Sequence, residues 1–152
     1  MNSSLNRIIL TASAVVISAA CHKAPSTAAS PSMGGAAARA SNGLPAGVTA
    51  RTVALGDSLF HARSCARCHG ADAKGAQNGP NLTTATHLHV NGTYDDFVRL
   101  ITSGVPVDSI QDKSHRIAMQ PRGANGNQTP LTDEQIRAVA AYVYSLSHKV
   151  GG

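Results

Sequence analysis

Residues 65–70, CARCHG, place two thiols and an imidazole within five consecutive positions. A Cys-x-x-Cys pair serves four chemistries: half of a zinc site, a redox dithiol, a disulfide, or attachment of a tetrapyrrole. A structural zinc ion takes four ligands in a tetrahedron, and after Cys68 and His69 no fourth cysteine follows. A thioredoxin-like dithiol belongs in a βαβ context, and the strands for one are missing. A disulfide would use both cysteines and leave His69 idle.

Cys-x-x-Cys-His as a unit is the c-type haem signature, and there every residue has work. The thiols of Cys65 and Cys68 add across the porphyrin vinyl groups as thioethers, and His69 reaches the iron from one face. The aromatic content agrees. The chain of 152 residues holds only Phe60, Phe97, Tyr94, Tyr142 and Tyr144, with no tryptophan. Aromatic side chains normally bury the largest areas in a core. A chain this poor in them has room for a flat apolar body at its centre, and without that body it is expected to be largely unfolded.

Composition divides the chain into three. Residues 1–21 read as a signal peptide: Arg7 gives a basic start, and Ile8 to Ala20 form an apolar run of 13 residues. That run is shorter than the roughly 20 residues that span a bilayer and suits an export signal. Ser18-Ala19-Ala20-Cys21 resembles a lipobox, with Ser18 where a branched aliphatic residue is usual. Cys21 is therefore expected to be lipidated. Ser18 and Ala20 equally satisfy an ordinary cleavage site. In residues 22–50, Ala, Ser, Pro and Gly make up 20 of 29 positions, a composition that cannot offset the entropy of ordering. This tether would span roughly 30 Å as a flexible coil. It contains Met33, which is thereby a poor ligand. A single domain is expected over residues 51–152. Of the net charge of +5, Arg7, Lys23 and Arg39 precede that domain, leaving ten basic against eight acidic side chains. So thin an excess argues against nucleic acid as a partner.

From Arg51 to about His148 the sequence resembles the class I cytochromes c, on ALGDSLFHARSCARCHG, on NGPNL (78–82) and on the late methionine Met119. The resemblance implies a small all-α fold, three or more short helices and long loops wrapped around one covalent haem. It implies that the Pro80 carbonyl accepts the Nδ1 proton of His69, leaving Nε2 for iron. Met119 lies in IAMQPRGANG, where Pro121, Gly123 and Gly126 break any regular helix. A loop methionine has no core gap to fill, and the resemblance makes it the second axial ligand. Gln120 intervenes before the proline that commonly follows that methionine. His115, and behind it His87 and His89, are the rival ligands; His87 and His89 read as solvated residues of a polar loop.

Residues 93–104 read as a helix, capped by Thr93, with Asp95 and Asp96 in its first turn and Gly104 at its end. Its apolar side is Tyr94, Phe97, Val98 and Ile101. The last helix opens with a capping box of Thr132 and Gln135, with Leu131 stapled onto Ile136. Its stripe continues through Val139, Ala140, Val143 and Leu146. By resemblance Tyr142 packs across Gly56 and Phe60, where the first and last helices cross.

His/Met ligation leaves the iron no vacant position and raises its potential relative to two imidazoles. The expectation is a monomeric one-electron carrier rather than an enzyme, exported to a bacterial periplasm and lipid-anchored. Its partners would be redox proteins such as a dehydrogenase, a cytochrome complex or an oxidase. Two rivals stay open: an acceptor subunit of one dehydrogenase or oxidase, and a haem sensor or peroxidase with a labile sixth ligand. Arg63, Arg67, Lys74, Arg116 and Arg122 are available to rim the haem edge toward an acidic partner; scattered solubilising charge explains them equally.

Overall fold

The computed structural model describes residues 43–150. The expectations for Cys21, for the leader and for most of the tether, Met33 included, lie outside the described residues. Within them the protein is helical, without strands. Four helices run in order: α1 (Ala50–Ala62), α2 (Cys65–His69), α3 (Tyr94–Ser103) and α4 (Asp133–His148). Single 3-10 turns stand at Val107–Ser109 and Pro121–Gly123. The fold is the small all-α arrangement expected.

Helix α1 starts where Thr49 Oγ1 accepts from the Thr52 amide at 3.2 Å. That start is one residue ahead of the boundary drawn at Arg51, and a turn closed by the Val48 amide on the Pro45 carbonyl (3.0 Å) precedes it. The helix stops at Ala62 because Arg63 swings to an extended conformation (φ −105°, ψ −176°). The Cys65–His69 turn is therefore a separate short helix, free to present its side chains in a direction of its own.

Both sequence-read caps are present, and α3 carries one more bond than expected. Thr93 Oγ1 accepts from the Asp96 amide (3.1 Å) while the Asp96 carboxylate accepts from the Thr93 amide (3.2 Å). The Thr93 hydroxyl most of all, then the Thr93 amide and the Arg99 charge, hold the Asp96 carboxyl below its ordinary range. In α4, Thr132 and Gln135 exchange the corresponding bonds at 3.3 and 3.0 Å. Leu131 and Ile136, each 1% exposed, sit in one apolar cluster with Phe97, Ile101, Val139, Ala140 and Val143. Burial of side chains of this size is worth about 1.5–3 kcal/mol each.

Helix α4 buries a second side that its sequence does not advertise. Ala138, Ala141, Ser145 and Ser147 are buried beside the apolar stripe. The two serines bond back to the Tyr142 and Tyr144 carbonyls at 2.7 and 3.1 Å, which satisfies their hydroxyls without a partner across the interface. Small residues there admit α1 closely: a Cβ at Gly56 would stand 1.9 Å from the Ala138 carbonyl oxygen and 2.9 Å from Tyr142 Cβ. Phe60 packs on Tyr142 at a ring separation of 5.4 Å, as the resemblance implied.

Gly56→Ala must push these helices apart, an overpacking cost of about 1–3 kcal/mol. At about 4–8 °C per kcal/mol for a domain of this size, thermal unfolding followed by circular dichroism at 222 nm should show a clearly lowered midpoint. An unchanged midpoint would mean that the α1–α4 crossing tolerates a wider spacing.

Candidate functional site

Helix α2 sets Cys65 and Cys68 one turn apart and His69 beside them. Gly70, at φ +82°, ends the helix in a conformation that L residues rarely adopt. Both thiols are unpaired, and burial pushes that of Cys65 up, so it remains protonated. His69 Nδ1 lies 3.0 Å from the Pro80 carbonyl. A carbonyl only accepts, so Nδ1 carries the proton and Nε2 keeps its lone pair. Burial holds the His69 pKa below the ordinary value, outweighing the Pro80 bond, with a further push from nearby His115. The ring is a neutral imidazole with one committed nitrogen.

The segment after α2 folds back to deliver Pro80. The Gly75 amide donates to the His69 carbonyl (2.8 Å), the Leu82 amide to the Ala73 carbonyl (2.8 Å) and the Ala76 amide to the Gly79 carbonyl (3.0 Å). At Gly79 the loop passes close against α2. A Cβ there would lie 2.7 Å from the Cys68 carbonyl oxygen and 2.9 Å from His69 Nδ1. Only a residue without a side chain lets Pro80 reach the imidazole.

Met119 is pinned through its backbone. It exchanges two hydrogen bonds with Val105, at 2.8 and 3.0 Å. Gly104 allows the approach, since a Cβ there would sit 2.2 Å from the Met119 carbonyl oxygen. Beyond Gln120 the chain turns through Pro121–Gly123. Arg122, in the left-handed region at φ +55°, locks that turn to the start of α4: its Nε donates to the Leu131 carbonyl (2.9 Å) and its guanidinium pairs with Asp133 (2.5 Å).

Between these two loops lies a cleft that is partly open to solvent. Cys65, Cys68, His69, Pro80 and Met119 all line it, amid apolar side chains such as Leu82, Leu100, Ile101 and Val139. His87, His89 and His115 line it as well. His87 is not the solvated residue that its polar loop suggested. Its ring meets Phe97 edge-on at 4.8 Å, and Nε2 is buried without a hydrogen-bond partner. Burial accordingly holds its pKa below the ordinary value. Gly92 (φ +89°) folds the loop onto this ring, a Cβ there meeting His87 Cδ2 at 3.2 Å. No local sequence signal distinguishes that glycine from an ordinary loop glycine.

Known proteins point the same way. The family model described as Cytochrome c matches residues 53–147. The chain belongs to the cytochrome c family. It is 40% identical over 97 residues to the Cbb3-type cytochrome c oxidase subunit CcoP of Rubrivivax gelatinosus, covering 64% of this chain and 27% of that protein. It is 41% identical over 98 residues to the fructose dehydrogenase cytochrome subunit of Gluconobacter japonicus, covering 61% of this chain and 18% of the relative. A further CcoP, from Rhodobacter capsulatus, is 38% identical over 96 residues, covering 60% and 28%. The similarity thus spans less than a third of each relative's length.

Membership of the cytochrome c family implies a covalently bound haem c, and the residues of this cytochrome c domain fit one. Two unpaired thiols on one helical turn, a neutral imidazole with a free Nε2 and a thioether line one apolar cleft. Among the described residues, no three His, Cys, Asp or Glu side chains gather as a metal site of their own would require.

Three of the five basic residues named for the haem edge have partners within the domain. Arg63 donates to the Thr129 carbonyl (3.2 Å), Lys74 pairs with Asp72 (3.2 Å), and Arg122 is committed to Leu131 and Asp133. Arg67 and Arg116 are exposed.

Gly79→Ala should weaken the His69–Pro80 bond and destabilise the fold by about 1–3 kcal/mol. In nuclear magnetic resonance spectra the His69 Nδ1 proton should exchange with water faster than in the parent. A resonance unchanged in position and exchange rate would show that the loop accommodates a methyl group there.

Proposed function

We propose that this cytochrome c domain is a one-electron carrier holding a single haem c. Cys65 and Cys68 are its thioether anchors, His69 Nε2 the proximal iron ligand and Met119 the distal one. The haem, when bound, supplies an iron centre that changes oxidation state by one electron. The chain's own part is positional. Pro80 fixes the His69 tautomer, so the ring presents a lone pair without choosing between nitrogens. The Val105–Met119 backbone pair fixes the opposite loop. Apolar walls exclude water, so charge on the site is felt strongly. Two fixed ligands leave no position for a substrate, which supports a carrier over a catalyst.

The observation that carries this reading is the shared cleft of Cys65, Cys68, His69 and Met119. The relatives named as cytochrome subunits of an oxidase and a dehydrogenase support redox proteins as the exchange partners. The proposal includes export to the bacterial periplasm and a lipid anchor at Cys21, supported by the basic start, apolar run and Ser-Ala-Ala-Cys of the first 21 residues. It also includes a monomeric state.

Replacing Met119 tests the reading directly. The reduced parent should bind carbon monoxide slowly or not at all, whereas Met119→Ala should bind it readily and lose the weak iron–thioether absorption of the oxidised form. Equally rapid binding by the parent would favour a sensor or peroxidase with a labile sixth position. The Cys65→Ala, Cys68→Ala double variant should lack a cooperative melt, since the cleft would be left without its contents; a near-native melt would show that the polypeptide core suffices.

A further inference from the structure

His61, near the C-terminal end of α1, has both ring nitrogens against acceptors. Nδ1 lies 2.9 Å from the Asp57 carbonyl, and Nε2 lies 2.7 Å from the Ala71 carbonyl. Nδ1 is also 3.2 Å from an Asp57 carboxylate oxygen. Carbonyls cannot donate, so each bond requires an N–H on the imidazole. A neutral imidazole has one N–H and the imidazolium has two. The imidazolium donates both bonds at once whereas the neutral ring of this part-exposed side chain can donate only one, and the end of a helix favours a cation.

The surroundings are consistent. From its own helix His61 faces Asp57, and from α4 it faces Tyr142 at a ring separation of 6.3 Å. Burial, with the neighbouring Asp57, pushes the Tyr142 phenol up to about 12, so it stays neutral across the working range. The segment after α2 contributes the Ala71 carbonyl, while its charged Asp72 and Lys74 pair with each other. The Asp57 and Ala71 carbonyl bonds, ahead of the Asp57 charge, raise the His61 pKa above the ordinary 6.5.

Ala71 opens the loop that carries Pro80. From there the Ala73 amide donates to the Gly70 carbonyl (3.1 Å) and the Leu82 amide to the Ala73 carbonyl (2.8 Å). One chain of bonds therefore runs from α1 through His61 to the segment that orients His69.

We propose that His61 is a positioning residue, an imidazolium clamp that ties the proximal loop to α1 and gives the reduction potential of the site a pH dependence. The inference rests on the carrier reading above. Loss of the His61 proton removes a positive charge and one of two anchoring bonds, and both the lost charge and the loosened loop act at the proximal side. The lost charge favours the oxidised form, so the potential falls. Because the folded-state pKa is raised, the clamp's stabilisation is fully present below about 6.5. It is lost as pH rises through the higher folded-state value.

The test uses the haem-loaded full chain and two variants, His61→Gln and His61→Arg. Visible absorbance bands of bound haem in each preparation report on the carrier reading separately. The ring resonances of His61 in the reduced parent should titrate with a midpoint above 6.5. The potential should step downward with pH at that same midpoint. His61→Arg, charged throughout, should abolish the step and hold the acid-side value. His61→Gln should abolish it and hold the alkaline-side value. Haem-loaded protein whose His61 titrates at or below 6.5 overturns the inference, as does a step that persists in both variants.

Discussion

His69 can present only one of its two nitrogens to the cleft, because the other is committed to the Pro80 carbonyl 3.0 Å away. That bond needs the loop to pass within contact distance of α2, and Gly79 makes room for the passage. Gly70 turns the chain out of α2, and Gly104 performs the matching service for Met119. Three glycines, each at a close backbone approach, let the loops on the two sides of the cleft pack tightly against their own supports. The cleft is thus built by backbone geometry and merely lined by side chains.

This arrangement explains why the core is small and yet the chain folds. The apolar cluster around Phe97, Leu131 and Ile136 is buried, but Ile117 and Leu88, both lining the cleft, remain 52% and 39% exposed. Such side chains have one neighbour too few. A small domain buries a modest fraction of its surface in any case, so in the proposed reading a large apolar prosthetic group supplies the missing contacts. On that reading, stability and redox chemistry are one problem for this chain, solved by the same covalent group.

Much of this was legible in the sequence because its signals are local. CARCHG, the Thr132–Gln135 cap and the Gly104 stop each act within a few residues, and each stands where it was read. The same locality explains what was missed. His87 looked solvated because burial by Phe97 and Gly92 is set by loop folding rather than by neighbouring residue types. The second buried side of α4 consists of Ala138, Ala141, Ser145 and Ser147, too small or too polar to register as an apolar stripe. Arg122 read equally as a docking or a solubilising charge, whereas a left-handed backbone and two hydrogen bonds bind it into the loop before α4. Long-range partners decide such cases, and a linear pattern does not display them.

The central claim is covalent attachment of one haem through Cys65 and Cys68. Protein matured in a host competent for such attachment should be digested and the peptide spanning residues 65–70 weighed. The expected result is a single haem on that peptide, both sulfurs resistant to alkylation and the alkaline pyridine spectrum of a bis-thioether haem. Recovery of the peptide at its bare mass, with both thiols alkylated, would contradict the account.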